Sequence, residues 1–485
     1  MRRLRLRLCG LTLLVCCVAL VPVASAGAAG SRADVDPALA AAEKAAGPDA
    51  ELHVIAIGRG VHGSAVRSVL HEGRDLPLIG GVSGTLPAKA VAALAAAPGI
   101  DVLTLDSPVS PTATSDPLSF PLLATLYPQV DRASGAWASG LTGSGVGVAV
   151  IDSGTTATAD FSGRLTQVLL PGQTSAIDTF GHGSFVTGVV GGASPDGRYV
   201  GIAPRASLYG IDVAGVGGVY SSDVIAGLNW VAANAQANNI RVVNVSLSEN
   251  TAGSYTTSAL DYAVEQVWRM GVVVVVSAGN LGPGTALYAP ANDPFVITVG
   301  SLDANDTLTT LDDVVASFSS SGTTQDGFTK PEILAPGRHI VSVLPAGTSL
   351  VQQAPLGNLV APGYAMMSGT SFSAPQVAGA AALLLQEHPG WTPDQVKAVL
   401  VATERPLPGA IGGALDVGAA TGFAGVPAIA NQGIAPSSGG STDTSTVSSN
   451  TSSWNTSSWN TSSWNTSSWN TSSWNTSSWN AFTWD

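Results

Sequence analysis

Gly369-Thr370-Ser371-Phe372-Ser373-Ala374-Pro375 leads directly into a run of small and apolar residues, 376–385. Small residues at this density are typical of a buried helix, and the stretch before them is typical of a helix start. A serine at that start lies beside unpaired backbone N–H groups and the positive end of the helix dipole. Those groups favour the negative oxygen that forms when a hydroxyl attacks a carbonyl. The stretch therefore predicts a candidate nucleophile, Ser371, in the first turn of a buried helix.

Short, valine-rich apolar segments alternate with helical segments from about residue 120 onward. Strands that are apolar on both faces belong to a parallel sheet covered by helices. Thr392-Pro393-Asp394-Gln395 supplies a later helix with a cap, a proline at its first position and a capping-box partner. The sequence therefore predicts an α/β fold with a doubly wound parallel sheet. The predicted strands are 146–151, 207–213, 242–247, 272–276 and 295–299, and the predicted crossover helices are 222–235 and 257–270.

Three further polar residues lie in motifs upstream of the serine. They are Asp152 in Val146-Gly-Val-Ala-Val-Ile-Asp152-Ser-Gly154, His182 in Gly181-His182-Gly183, and Asn280 in Ser277-Ala-Gly-Asn-Leu-Gly282. Asp152 and Asn280 each follow a predicted strand, and functional residues of open α/β sheets gather at the carboxyl ends of strands. Each aspartate or asparagine motif alone is more typical of a turn. The four residues together, in the order Asp, His, Asn, Ser, predict a nucleophilic site.

On these motifs the chain resembles the subtilase family of serine proteases, over roughly residues 120 to 423. The resemblance implies that Asp152 orients His182 and that His182 takes the proton of Ser371. It also implies that the Asn280 side chain and the Ser371 backbone N–H donate to the oxyanion. The implied substrate-binding residues are Ser246, Leu247, Ser248, Ala278 and Gly279.

Several positions depart from the family pattern. Ser246-Leu247-Ser248-Glu249 stands where the family usually has Ser-Leu-Gly-Gly, which would narrow the first specificity pocket or favour a basic residue. The favoured interpretation, however, is that the Glu249 side chain simply faces solvent. Phe372 follows the nucleophile where many relatives carry an oxidisable methionine. Residues 190–201 lack the Asn-rich calcium loop of many subtilisins, so no cofactor or metal is predicted and structural calcium is left open.

The beginning of the chain predicts export. Four arginines precede an apolar run, 9–23, that ends in Ala24-Ser25-Ala26, which indicates a secretory signal peptide over 1–26 and a secreted, extracellular protein. All three cysteines lie in that segment, so the exported chain has no disulfide and no thiol nucleophile. Of 20 basic residues four lie in the signal, which leaves 16 against 33 acidic ones and a net charge of −17. That charge disfavours nucleic acid as a partner.

Residues 27–115 predict a small α+β unit of the ferredoxin-like type. A strand over 53–58, a helix started by Pro87 and a strand over 100–105 make up its pattern. Its place between a signal and the region 116–423 resembles the inhibitory propeptide of subtilases, which chaperones folding and is then cut away. The implied cut lies between about residues 107 and 126. A ferredoxin-like domain of another function is the alternative, because fold alone does not give function.

The last part of the chain changes in composition. Residues 424–449 are rich in Pro, Gly, Ser and Thr and indicate a flexible linker. In 450–485, Asn-Thr-Ser-Ser-Trp repeats six times, and its period of five fits neither an amphipathic helix nor a strand. We expect a disordered tail. Its tryptophans could stack on sugar rings, so contact with the cell envelope or a polysaccharide is weighed against a purely flexible role.

Two functions from different classes are consistent with these observations. The leading one is a secreted serine endopeptidase that acts on proteins or peptides through an acyl-enzyme and removes its own propeptide as inhibitor. The other is a binding or surface protein on the same scaffold, with the tryptophan repeats as its functional part. The presence of Asp152, His182, Asn280 and Ser371 together favours the enzyme.

Overall fold

A computed structural model describes residues 33–111, except 64, 65 and 67, and residues 125–437, except 215–217 and 354–355. The expected signal peptide and the tryptophan repeats lie outside the described residues. The N-terminal unit contains a sheet of strand order β1-β5-β2-β4-β3. Its elements are β1 (Asp34–Val35), α1 (Pro37–Ala45), β2 (Glu51–Ile57), β3 (His71–Leu76), β4 (Gly81–Pro87), α2 (Val91–Ala95) and β5 (Val102–Leu105).

The order β5-β2-β4-β3, with antiparallel neighbours throughout, is that of a ferredoxin-like sheet. Alternate residues of β2 point to opposite faces. Val54 and Ala56 belong to the unit's own core, whereas Ile55 and Ile57 pack into the core of the larger unit. The N-terminal unit is therefore apolar on both faces and uses one of them to dock.

The larger unit is built on a sheet of strand order β22-β18-β14-β13-β11-β7-β9-β8. All neighbours along that order are parallel, and β15 adds an antiparallel edge to β14. Its strands are β7 (Gly147–Asp152), β8 (Leu165–Val168), β9 (Ser207–Asp212), β11 (Ile240–Val245), β13 (Val273–Ser277), β14 (Ile297–Asp303), β15 (Val314–Val315), β18 (Ile333–Pro336) and β22 (Gly413–Ala414). The predicted doubly wound parallel sheet is confirmed, and all five predicted strands lie in it.

Shorter strands and the helices complete the larger unit. The shorter strands of the larger unit are β10 (Val219–Tyr220), β12 (Leu247–Glu249), β16 (Gly322–Thr323), β17 (Thr329–Lys330), β19 (Ile340–Val343), β20 (Leu359–Ala361) and β21 (Tyr364–Met367). β6 (Pro108–Pro111) ends the N-terminal unit. The helices are α3 (Tyr127–Val130), α4 (Ala133–Ala138), α5 (His182–Gly191), α6 (Ser221–Asn238), α7 (Ala259–Arg269), α8 (Ser349–Gln353), α9 (Thr370–Glu387), α10 (Pro393–Ala402) and α11 (Val417–Thr421). In the part of the chain that the structure describes, no helix combines the length and hydrophobicity needed to cross a membrane.

Helix α9 is central to the packing. It is buried from Thr370 to Leu385 and packs against α5, β11, β13 and β14. Small residues allow this close approach, since a Cβ added at Gly379 would lie 2.6 Å from Ile202 Cβ.

The predicted capping box of α10 is confirmed, because Gln395 N donates to Thr392 Oγ1 while Thr392 N donates to Gln395 Oε1.

Residues 424–437, which the sequence assigns to a flexible linker, lie against the larger unit instead. Ser437 is buried, and its backbone N donates to the carboxylate of Glu265 at 2.9 and 3.0 Å. Asn431 Nδ2 donates to Asp394 Oδ1 at 2.9 Å. Ser437 and Asn431 thus tie this part of the predicted linker to α7 and α10, through contacts that composition does not reveal.

Candidate active site

The four predicted site residues come from four separate elements. Asp152 ends β7, His182 begins α5, Asn280 follows β13, and Ser371 lies in the first turn of α9. His182 Nδ1 lies 2.7 Å from Asp152 Oδ1, and both side chains are at most 1% exposed. With the proton on Nδ1, this hydrogen bond holds the imidazole in the tautomer whose Nε2 can accept a proton.

Glycines allow the start of α5 to approach β7. Gly181 has φ 105°, which a side chain would strain, and Gly183 packs against the turn after Asp152. A Cβ at Gly183 would lie 2.1 Å from the carbonyl oxygen of Gly154. The glycines on both sides of His182 are therefore required to bring its ring to Asp152.

Asp178 supports this corner of the site, and sequence reasoning missed it. Its Oδ1 accepts hydrogen bonds from Ser153 Oγ at 2.9 Å and Gly181 N at 2.6 Å, and its Oδ2 accepts from Ser184 N at 2.8 Å. The carboxylate thus satisfies N–H groups at the start of α5, as a capping residue does. The sequence signal for this role was an aspartate three residues before Gly181, the glycine that precedes the helix of His182.

A third carboxyl, Asp212, lies beside this pair. In the register of β7 and β9, Asp212 is opposite Asp152. Burial, with added repulsion from Asp178 and Asp152, raises the pKa of Asp212 to about 6, and burial also raises the pKa of Asp178. Burial and the neighbouring carboxyls of Asp178 and Asp152 therefore favour the protonated form of Asp212.

Ser371 and Ser246 exchange two hydrogen bonds. Pro375 has no N–H, so the Ser371 carbonyl lacks its usual helical donor four residues on. Ser246 Oγ donates to that carbonyl at 2.9 Å, and Ser371 Oγ donates to the Ser246 carbonyl at 3.2 Å. Among the described residues no group hydrogen-bonds to His182 Nε2, so attack requires the Ser371 hydroxyl to turn toward that nitrogen.

The amide of Asn280 is fixed by Thr370, the residue before the nucleophile. Asn280 Oδ1 accepts from Thr370 N and Thr370 Oγ1, both at 3.0 Å. Thr370 Oγ1 in turn accepts from Gly279 N at 3.1 Å, so its one proton is directed to Asn280. Because Oδ1 takes both donors, the Asn280 NH2 group lies on the side away from Thr370, where it can donate to an oxyanion.

We expect Asn280→Ala to keep the fold and lower kcat by about 10²–10³, because one preorganised oxyanion donor is lost. Steady-state kinetics on a peptide substrate, with a thermal melt of both proteins, measure this. Asn280→Asp is the matched control: it keeps the shape and an acceptor for Thr370 but removes the donor. If Asn280→Asp retained full kcat, the donor role would be wrong.

Phe372 packs directly behind the catalytic pair. Its ring is fully buried, with its centroid 5.5 Å from that of His182 and 4.4 Å from that of Phe185. Met366 and Met367 are 2% and 5% exposed. The position next to the nucleophile therefore holds no sulfur, and the nearest methionines in sequence are shielded from solvent.

Phe372→Met should make the protein sensitive to dilute peroxide, because a sulfoxide formed there would be a bulky polar group beside the nucleophile. The unaltered chain should keep most of its activity under the same treatment. Residual activity over time and mass spectrometry of the tryptic peptides would report both outcomes. Equal rates of loss in the two proteins would contradict this expectation.

The substrate-binding candidates lie on or directly beside two strands, β12 and β13. β12 carries Leu247 and Ser248, and Ala278 and Gly279 follow β13. β12 does not face open solvent: it forms a three-stranded antiparallel sheet of order β10-β6-β12. The favoured expectation that Glu249 faces solvent is wrong, since Glu249 is partly buried and its Oε1 lies 2.6 Å from Ser221 Oγ. The N-terminal unit covers it, which sequence alone does not show.

Within the described ranges no group of three or more His, Cys, Asp or Glu side chains is arranged to hold a metal ion.

A parallel α/β sheet with an Asp–His pair, a helix-start serine and an oriented asparagine at its edge is the arrangement expected of hydrolases with a serine nucleophile. Residues 143–423 match the model of the subtilase family, and the chain belongs to that family.

Named relatives and one solved structure give the extent of the similarity. Serine protease AprX of Bacillus subtilis is 41% identical over 271 residues, which cover 54% of this chain and 61% of AprX. Subtilisin Savinase of Lederbergia lenta is 36% identical over 268 residues, covering 55% of this chain and 86% of the relative. Alkaline protease of Alkalihalobacillus alcalophilus is 34% identical over 331 residues, covering 68% and 74%. Fervidolysin of Fervidobacterium pennivorans, a keratinolytic enzyme related to subtilisin, superposes with a TM-score of 0.59 at 26% identity, covering 79% of this chain and 62% of that one.

Proposed function

We propose that this protein is a secreted serine endopeptidase that hydrolyses peptide bonds through an acyl-enzyme on Ser371. One observation carries the proposal beyond membership of the family: strand β6 of the same chain lies as an extended peptide in the cleft between β10 and β12. β6 pairs antiparallel with β10 on one side and β12 on the other. Adding a strand to free edges is a general way to bind an extended peptide of variable sequence.

The register of β6 against β12 supports this proposal. Pro111, Ser110 and Val109 lie opposite Leu247, Ser248 and Glu249, so the chain runs toward Ser246 as it leaves β6. Ser246 is the residue whose carbonyl accepts from Ser371 Oγ. A polypeptide bound in this way would present its next bonds to Ser371.

The chemistry follows from the geometry of the four residues. His182 Nε2 takes the Ser371 proton as Oγ attacks the carbonyl, and Asp152 stabilises the imidazolium that forms. Asn280 Nδ2 and the Ser371 backbone N–H donate to the oxyanion. His182 then protonates the leaving amine, and in the second half it activates the water that releases the acyl group. The reaction as proposed uses no cofactor, and structural calcium is not part of it.

We further propose that residues 33–111 belong to an inhibitory propeptide that Ser371 removes from its own chain. The N-terminal unit covers the cleft through β6 and packs Ile55 and Ile57 against the larger unit. Within the implied range of about 107 to 126, we place the cut in 112–124, which follows the paired strand and lies outside the described residues. Sequencing the N-terminus of the mature chain would locate it.

Contact of the tryptophan repeats with a cell envelope or polysaccharide stays a separate prediction.

Hydrolysis of casein by the purified full-length protein tests the proposed activity. We expect hydrolysis that a serine-directed sulfonyl fluoride abolishes and that mass spectrometry traces to a sulfonylated Ser371. A chelator should leave the chemical step intact. A protein that neither cleaves casein nor reacts with the reagent would favour the alternative of a binding protein on this scaffold.

A further inference from the structure

The N-terminal unit completes the first turn of helix α6. Ser222 donates to Asp106 through its backbone N, at 2.9 Å, and through its hydroxyl, at 2.6 Å. The backbone N of Ser221 donates to the carbonyl of Ser107 at 2.9 Å. Two N–H groups that a helix start leaves unsatisfied thus receive their acceptors from the docked unit. The strength with which the N-terminal unit docks should therefore depend on the corner formed by Asp106, Ser107 and the start of α6.

Glu249 enters the same corner from β12, on the other side of Ser221. Ser221 Oγ lies 3.0 Å from the Ser107 carbonyl oxygen and 2.6 Å from Glu249 Oε1. A carbonyl can only accept, so the Ser221 hydroxyl proton goes either to Ser107 or to Glu249. A protonated Glu249 can donate to Ser221 Oγ, which leaves the hydroxyl proton for the Ser107 carbonyl. An ionised Glu249 takes that proton itself, and the Ser107 carbonyl then keeps only the bond from the Ser221 backbone N.

The charged groups that act on the Glu249 carboxyl are acidic. They are Asp36, which precedes α1, Asp106, which precedes β6, and Asp261 on α7. Asp36 and Asp106 belong to the N-terminal unit, so docking adds two carboxyls to a place that already has one. Burial first, then the charges of Asp36 and Asp106, raise the pKa of Glu249 to about 8.

Asp106 faces its own set of charged groups. Burial raises the pKa of Asp106 to about 6, with repulsion from Asp223 on α6 and attraction to His53 on β2 as smaller effects. Arg74 on β3 pairs with Asp223 at 2.5 Å, so that carboxylate has its own cation. Glu249 differs from Asp223 in this respect. The charged groups described as acting on the Glu249 carboxyl are aspartates and include no cation.

We propose that Glu249 is a proton-dependent latch: in its protonated form it holds the cleaved N-terminal unit on the enzyme, and loss of the proton releases that unit. The inference rests on the proposed function of residues 33–111 as an inhibitor. It gives Glu249, which replaces a small residue of the family pattern, a role in the timing of activation.

The direction of the pH effect follows from linkage. The pKa of Glu249 is raised in the docked state, so docking takes up a proton and is strongest at low pH. Affinity falls as pH rises from the ordinary glutamate range toward about 8 and then levels off. One proton changes the dissociation constant by about tenfold per pH unit within that window. Above about pH 6.5 Glu249 dominates, because Asp106 titrates earlier.

The experiment follows release separately from cutting. Full-length protein is allowed to process at pH 6 and is then shifted to pH 6.5, 7.25, 8 or 9. Gel electrophoresis reports the cut, size-exclusion chromatography reports release of the N-terminal fragment, and activity on a small peptide is normalised to its final plateau. We expect release to become about tenfold more favourable per pH unit up to about pH 8 in the unaltered chain. In Glu249→Gln, which keeps a donor to Ser221 but does not titrate, release should change less than about threefold over that range.

Asp106→Asn is the matched control, since it removes the other interface carboxyl and should keep the pH dependence above 6.5. An equal pH dependence in Glu249→Gln and the unaltered chain would overturn the latch. Should the chain not cut itself at all, the uncut Ser371→Ala protein still decides the matter. Its infrared spectrum at pH 7, minus that of Ser371→Ala/Glu249→Gln, should show the C=O band of a protonated carboxyl, and a carboxylate band there would overturn the inference.

Discussion

Replacement of Ser371 by alanine should lower kcat by about 10⁶ and leave the chain as an uncut precursor, since removal of a triad nucleophile has an effect of that order. The Ser371 hydroxyl lies in the first turn of α9 and donates to the Ser246 carbonyl. Peptide hydrolysis and the mass of the purified chain give the two measurements.

Ser373→Ala is the matched control for loss of a buried hydroxyl from the same turn. Ser373 Oγ lies 2.8 Å from Ser301 Oγ and 3.2 Å from the Pro336 carbonyl. Its loss should reduce stability by about 1 kcal/mol and leave processing intact. Complete processing of the Ser371→Ala chain in a host without other proteases would show that the assigned nucleophile is wrong.

The fold and the four site residues were predictable because both depend on local sequence. Valine-rich segments indicate buried parallel strands, and a parallel sheet brings the ends of its strands to one edge. Asp152 and Asn280 therefore lie at the same edge of the sheet although 128 positions separate them in the chain. Glycine on both sides of His182 marks close backbone packing in the same way.

The residues that orient those four were not predictable, because their roles depend on distant partners. Asp178 and Thr370 act through hydrogen bonds to backbone groups and to an amide. A position at or shortly before the start of a helix is the one signal that their segments carry, and many ordinary turn and cap residues share it. Glu249 was assigned to solvent because a lone glutamate is usually exposed. Its burial comes from a separate unit that begins more than 200 residues earlier.

Asp152→Asn should lower kcat by about 10⁴ while the fold is kept, because an amide in place of the carboxylate favours the wrong tautomer of His182. Asp152 Oδ1 accepts from His182 Nδ1 at 2.7 Å and from Ser153 N at 2.8 Å. An asparagine that keeps its oxygen toward Ser153 can still accept from Nδ1, but it no longer stabilises the imidazolium. One that turns its NH2 group toward Nδ1 puts the proton on Nε2, where it blocks attack by Ser371. Peptide hydrolysis across pH and a thermal melt would measure the two effects separately.

Asp178→Asn provides the comparison, since Asp178 is a buried carboxylate of the same corner that does not touch the His182 ring. It accepts from N–H groups at the start of α5, so the amide should lower the melting temperature by destabilising that helix start. Its kcat should fall far less than that of Asp152→Asn, because the carboxylate on Nδ1 is still present. A loss of kcat as large in Asp178→Asn as in Asp152→Asn would mean that the negative charge of the corner as a whole, rather than the hydrogen bond from His182 to Asp152, supports catalysis.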